Sequence, residues 1–143
     1  MAITQTACNS YKLELPQAIH NFTAGTGDTF KMALYNSLAT LNQSTTVYST
    51  TNELVGTGYT AGGVVLTAVT PTLYNNTAVW TFANAVWAGA TFTNVAGALI
   101  YNSSKANRAI CALSFGQSFS CVSQTFTVVM PATTDSSAVL RIA

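Results

Sequence analysis

Residues able to carry chemistry are few in this chain of 143. The carboxylates are Glu14, Asp28, Glu53 and Asp135, the single imidazole is His20, and the thiols are Cys8, Cys111 and Cys121. A Ser-His-Asp arrangement needs no fixed spacing, but a nucleophile elbow of the form G-x-S-x-G is missing. The segment from Ser114 through Gly116 and Ser118 to Ser120 comes nearest and lacks a second glycine. His20 is therefore read as a hydrogen-bonded structural residue, and no catalytic residue is assigned. Zinc wants three or four Cys, His or carboxylate ligands at workable spacing, and calcium wants clustered oxygen ligands; neither pattern occurs, so no metal ligand and no cofactor is expected. Asp28, in Gly25 to Asp28, reads as a turn former.

The stretch Glu53 to Val69 poses a sharper question. Gly56, Gly58 and Ala61 satisfy the loose dinucleotide pattern G-x-G-x-x-A, in which backbone N–H groups approach a pyrophosphate at a helix start. An amphipathic helix must follow, yet Gly62 and Gly63 lead into the β-branched run Val64 to Val69. The glycines are read as a bend between strands, with no cofactor bound there. Trp80, Trp87, Tyr74 and Phe92 offer stacking surfaces for sugars or bases, but Trp80 and Phe82 share strand parity and fit a core.

The elements that must position these groups are strands. Only 6% of residues are charged, where about 25% is usual, while 49% are hydrophobic. The uncharged tract Leu54 to Ser104 is broken throughout by Thr, Asn, Gly and Tyr, so no run of about 20 apolar residues exists to cross a bilayer. A short helix is expected from a cap at Asn9 or Ser10, limited by Pro16. Strand signals follow at Phe30 to Tyr35, Val64 to Val69, Ala78 to Phe82, Ala90 to Thr93, Ala98 to Tyr101, Arg108 to Phe115, Thr125 to Met130 and Val139 to Ile142. Turn chemistry separates them at Pro71, Tyr74 to Thr77, Ala88-Gly89, Asn102 to Ser104, Gly116-Gln117 and Pro131 to Ser137. The segment Leu41 to Thr51 reads as an exposed loop with a weak strand. The fold expected is all-β over residues 1–143 as one domain: an antiparallel β-sandwich, jelly-roll-like, with a short N-terminal helix.

Charge and cysteine usage narrow the partners. A net charge of +1 with Lys12, Lys31, Lys105, Arg108 and Arg141 dispersed argues against a nucleic-acid groove. The opening six residues have neither a basic n-region nor an apolar h-region, so the product is expected to stay where it is made, and the sequons at Asn21, Asn42, Asn75 and Asn102 to carry nothing. Three cysteines without a C-x-x-C pair read as free buried thiols, with Cys111 facing Cys121 across a hairpin as the alternative.

The order of the motifs resembles a family of small tailed-phage virion proteins. The matching pieces are His20-Asn21-Phe22, Asp28 to Tyr35, Gly56 to Gly63, Trp80-Thr81, Ala98 to Asn102, Phe115-Gly116, Phe126 to Pro131 and Arg141 to Ala143, which together span nearly the whole chain. These motifs are structural, and the family offers no active-site residues. The resemblance implies a non-enzymatic capsid cement or decoration protein, often a jelly roll or related sandwich, on the outer surface of the virion and made in the host cytoplasm. Its expected partners are the major capsid protein and further copies of itself, as a dimer or small cluster at a symmetry axis, with no nucleic acid and no membrane. Contact arms are expected at 1–22 and 132–143. Composition agrees, because an unpaired charge buried between subunits costs several kcal/mol whereas a hydrogen-bonded Thr or Asn costs little. The rival expectation is a head-fibre or tail-associated carbohydrate- or receptor-binding module, which would expose Trp87, Tyr74 or Tyr48 for stacking on a sugar.

Overall fold

The computed structural model describes residues 2–134 and 136–143; Asp135 lies outside the described residues. The chain order is β1 (Ala2–Ile3), β2 (Thr6–Ala7), α1 (Asn9–Glu14), β3 (Phe30–Asn36), β4 (Thr40–Leu41), β5 (Val64–Leu66), β6 (Ala68–Tyr74), β7 (Thr77–Phe82), β8 (Ala85–Asn102), β9 (Arg108–Val128) and β10 (Leu140–Ile142). A five-stranded sheet runs β2-β9-β8-β3-β5 and a three-stranded sheet runs β10-β7-β6, both antiparallel, with a small parallel pair β1-β4 beside them. The fold is an all-β sandwich with one short helix.

Two crossings make the sandwich from one continuous chain. After β5 the single residue Thr67 separates the five-stranded sheet from β6 of the other, and Ala83-Asn84 carry the chain back from β7 to β8. The Ala83 N–H donates to the Thr67 carbonyl at 2.9 Å, closing the two crossings onto each other. Between the sheets lies an aromatic cluster: Phe22 stacks on Phe30 with centroids 4.5 Å apart, and Trp80 and Phe82 of β7 pack against that pair. Trp80 and Phe82 thus take the inward positions that their parity predicts. In β3 the alternation breaks down, since Met32, Ala33, Leu34 and Tyr35 are all buried. This strand lies between β8 and β5, and both of its faces are covered.

Several expected boundaries move for one physical reason. The strands expected at Ala90 to Thr93 and Ala98 to Tyr101 are parts of the 18-residue β8, and those at Arg108 to Phe115 and Thr125 to Met130 fall on the 21-residue β9, which ends at Val128, two residues short of the latter. Gly89, Asn94, Gly116 and Ser123 do adopt positive φ, but in bulges of the β8-β9 ribbon where its register shifts, not in reversals of the chain. The real reversals are Tyr74 to Thr77, with Asn75 at φ 51°, and Asn102 to Arg108, with Ala106 and Asn107 at 53° and 57°. The cap lies one residue before the nearer of the two expected, Asn9 and Ser10: Cys8 occupies the N-cap without a side-chain bond, its N–H held by the Ile110 carbonyl and the Asn9 N–H by the Gln43 carbonyl. Cys111 and Cys121 lie on the same strand, so they do not face across a hairpin; all three thiols are free and buried.

Both terminal segments fold onto the domain. Ile3, Cys8, Tyr11, Phe22 and Leu140 are buried, and the accessible surface of 7076 Å² matches the roughly 7000 Å² that a compact monomer of 15.0 kDa presents.

Gly63 is required by close approach as well as by φ. At φ 77° it passes so near β3 that a Cβ would lie 1.7 Å from the Met32 carbonyl oxygen. Gly63→Ala is expected to cost about 3 kcal/mol or more. Gly89→Ala, at φ 59° with nothing within 4 Å, is expected to cost about 1 kcal/mol. Urea unfolding of the two variants checks the contrast; equal losses would contradict it.

Candidate functional site

The glycine stretch does cradle an anion, and the anion is the protein's own. The Gly62 N–H donates to Glu53 Oε1 at 2.7 Å, and the Tyr59 hydroxyl donates to the same oxygen at 2.7 Å. The Tyr48 hydroxyl donates to Oε2, also at 2.7 Å. On the other side of the same glycine, the Tyr101 hydroxyl donates to the Gly62 carbonyl at 2.7 Å. Tyr59 in turn accepts the Leu34 N–H at 2.9 Å, so the loop is tied to β3 through the phenol. Tyr48 stacks on Tyr101 with centroids 4.6 Å apart and 16° between planes. Glu53 is 7% exposed. The place that a bound phosphate would need is occupied by this carboxylate and its three donors.

Burial pushes the surrounding phenols up. Tyr59 and Tyr48 are raised well above the usual tyrosine range by desolvation, and then by donating to Glu53 and by its negative charge. Tyr35, whose hydroxyl donates to the Ser49 carbonyl at 2.6 Å, is raised by desolvation and by Glu53. Tyr101 moves from 10.0 to about 12, by desolvation first and the Glu53 charge second.

A second cluster gathers residues that look solitary in sequence. Glu14 Oε2 accepts from His20 Nε2 at 2.7 Å, and Arg108 Nη1 donates to Glu14 Oε1. The Asn102 side-chain amide nitrogen lies 3.0 Å from His20 Nδ1 and 2.8 Å from Asp28 Oδ2, while its oxygen accepts the Ser104 N–H at 3.0 Å. Those contacts orient Asn102 with its NH₂ toward the ring, so Nδ1 accepts and Nε2 carries the hydrogen donated to Glu14. Asp28 Oδ2 also accepts the Asn21 N–H at 2.9 Å, and Lys105 Nζ lies 3.9 Å from Asp28 Oδ1. Both ring nitrogens of His20 are engaged and its side chain has no exposure, so neither nitrogen faces solvent. The cluster fastens the segment after α1, the start of β3 and the β8-β9 turn to one another.

The remaining sequence candidates do other work. Ser114 Oγ accepts the Gly116 N–H at 3.3 Å and Ser118 Oγ donates to Asn94 at 2.9 Å, both within the ribbon bulge. Trp80, Trp87 and Phe92 are buried, and Tyr48 is half-buried against Tyr101, so of the aromatics expected to offer a sugar platform only Tyr74 is exposed. Among the described residues no group of three or more His, Cys, Asp or Glu is arranged to hold a metal ion. Neither cluster was visible as a local motif. The Glu53 contacts span as little as five to nine residues but depend on how the loop folds, whereas Asn102 reaches His20 across 82 residues.

The raised phenols fix the sign of an alkaline transition. A group whose folded pKa exceeds its unfolded value contributes stability below the unfolded value and loses it as pH rises through the folded one. Cys8, raised by desolvation from 9.0 to about 11, and Tyr101 therefore predict a melting temperature that is level up to about pH 9 and falls steeply toward pH 11 to 12. Thermal melts followed by circular dichroism check this, and a midpoint unchanged across that window would contradict it.

No protein-family model, curated protein or solved structure matches this chain significantly.

Proposed function

We propose that this chain is a non-enzymatic capsid cement or decoration protein of a phage, which binds the major capsid protein on the outer surface of the shell and stabilises it. The observation that supports the reading best is where the acids go. Glu14 and Glu53 are buried, and the Asp28 side chain is 12% exposed and hydrogen-bonded. Among the described residues, what remains outside is chiefly Thr, Ser, Asn, Ala and scattered aliphatic side chains, including exposed Leu13, Leu38, Val55, Val65 and Val122, with Lys12, Lys105 and Arg141 the exposed charged residues. Such a surface offers wide areas that meet other proteins with few charges to strand, and the low net charge of +1 favours association over colloidal separation. A domain laid across the joints of a shell would bury about 800 Å² per partner, area that must be re-exposed before subunits part. The jelly-roll-like character, the homo-oligomer at a symmetry axis and the role of the terminal segments as arms belong to the same proposal, and the resemblance of the sequence motifs to small virion proteins supports it.

A head-fibre or tail-associated module that binds a carbohydrate receptor is the second reading, favoured by the exposed Leu73 and Tyr74 beside the β6-β7 turn. One experiment separates the two. Shells assembled from the major capsid protein encoded with this chain are mixed with it and sedimented. The cement reading expects saturable co-sedimentation at a fixed copy ratio and a higher temperature of shell disassembly. A chain that stays in the supernatant and binds a glycan array instead would overturn it.

A further inference from the structure

His20 is the only imidazole of the chain, the side chain that ordinarily gains or loses its charge between about pH 5 and 8. It is buried where a second ring hydrogen would find no acceptor. Nε2–H donates to Glu14 Oε2 at 2.7 Å, and Nδ1 accepts from the Asn102 amide nitrogen at 3.0 Å. Asn102 is held in that orientation from both ends of its amide. The nitrogen lies 2.8 Å from Asp28 Oδ2, an acceptor, and the oxygen receives the Ser104 N–H, a donor, at 3.0 Å.

The charges that face the ring nearly offset one another. Glu14 of α1 attracts an added proton, and Arg108 of β9, which donates to Glu14 Oε1, opposes it. Behind Asn102, Asp28 attracts and Lys105, 3.9 Å from Asp28 Oδ1, opposes. Tyr11 of α1 and Phe22 pack beside the ring with centroids 5.7 and 6.3 Å away. Desolvation raises the Tyr11 phenol above the usual tyrosine range, so it stays neutral. What resists a second ring proton is therefore hydrogen-bond geometry, in the single amide of Asn102.

We infer that His20 and Asn102 form an acid-operated latch on the β8-β9 turn, in which a proton taken up at Nδ1 turns the Asn102 amide over and frees Ser104 from it. A proton from solvent takes the Nδ1 lone pair that had accepted from Asn102, and leaves two donors, the Nδ1–H and the NH₂, facing each other. Rotating the amide presents its oxygen to the Nδ1–H. The same rotation brings that oxygen against the Asp28 carboxylate and the NH₂ against the Ser104 N–H, so one bond is regained and two are lost. The change stays local, because the Ser103 N–H still donates to the Thr29 carbonyl at 2.9 Å and Ser104 Oγ still accepts the Thr29 N–H at 2.8 Å. The latch operates whatever surface the domain binds, and so does not depend on the function proposed above.

NMR of the intact chain, titrated from about pH 7.5 to about pH 5, reads ring and turn together. As the His20 ring nitrogens report the added proton, the Ser104 amide proton is expected to move upfield with the same midpoint. Its exchange with water, corrected for the intrinsic effect of pH, is expected to quicken about tenfold through loss of one hydrogen bond. The circular dichroism spectrum stays unchanged. His20→Asn keeps an acceptor toward Asn102 and carries no charge, so its Ser104 amide is expected to show no step across the window. Should that variant fail to fold, coincidence of the two midpoints in the parent decides. A ring that charges while Ser104 keeps its bond overturns the inference, as does a ring that stays neutral throughout the titration. A Ser104 step that persists in His20→Asn also overturns it, since the proton then acts at Asp28 or Glu14.

Discussion

The carboxylate of Glu53, buried and held by two phenols and one backbone amide, is the interaction on which the surrounding architecture depends. An acid taken out of water is costly unless its lone pairs are met, and here three donors at 2.7 Å meet them. Each donor brings a different part of the chain. Tyr48 fixes the loop after β4, Tyr59 links to the β3 backbone, and Gly62 sets the entry to β5, which pairs with β3 at Met32. The loop between β4 and β5 has little regular structure of its own, and this hub shapes it together with isolated bridges from Val47 to Arg108, Glu53 to Tyr35 and Thr57 to Thr91.

The Glu14, His20, Asn102 and Asp28 cluster repeats the logic one residue further along β8, where Asn102 follows the Tyr101 of the Glu53 hub, and with Arg108 it joins segments up to 94 residues apart. In a chain with only four acids and five bases, turning carboxylates inward has an external consequence. The fold gains cross-links of defined geometry, and the exterior among the described residues is left mostly with neutral dipoles and apolar groups, Lys12, Lys105 and Arg141 being its exposed charges. Among the described residues no strand pairs with the outer edge of β9 beyond Ala112; that stretch carries no lysine, and bulges at Gly116 and Ser123 interrupt its run instead, which limits indiscriminate edge-to-edge pairing.

How far this was legible in the sequence varies with the range of the interaction. Period-two alternation in Trp80 to Phe82 and the turn chemistry of Tyr74 to Thr77 are local, and both mark what the chain does there. Gly89 and Gly116 also announce positive φ correctly, but a bulge and a reversal demand the same backbone conformation, so two long strands look like four short ones. Glu53 appears solitary because its partners are phenols and an amide, which no charge pattern marks. His20 gives no hint of Asn102, since that contact exists only once β8 and β9 have folded their turn over the N-terminal segment.

The most direct test is the stability of Glu53→Leu, which keeps the bulk of the side chain and removes every acceptor. With the Tyr48 and Tyr59 hydroxyls and the Gly62 amide left unpaired, urea unfolding is expected to report a loss of about 3 kcal/mol or more. A loss below about 0.5 kcal/mol, the range of an ordinary surface change, would contradict the central role of the buried carboxylate.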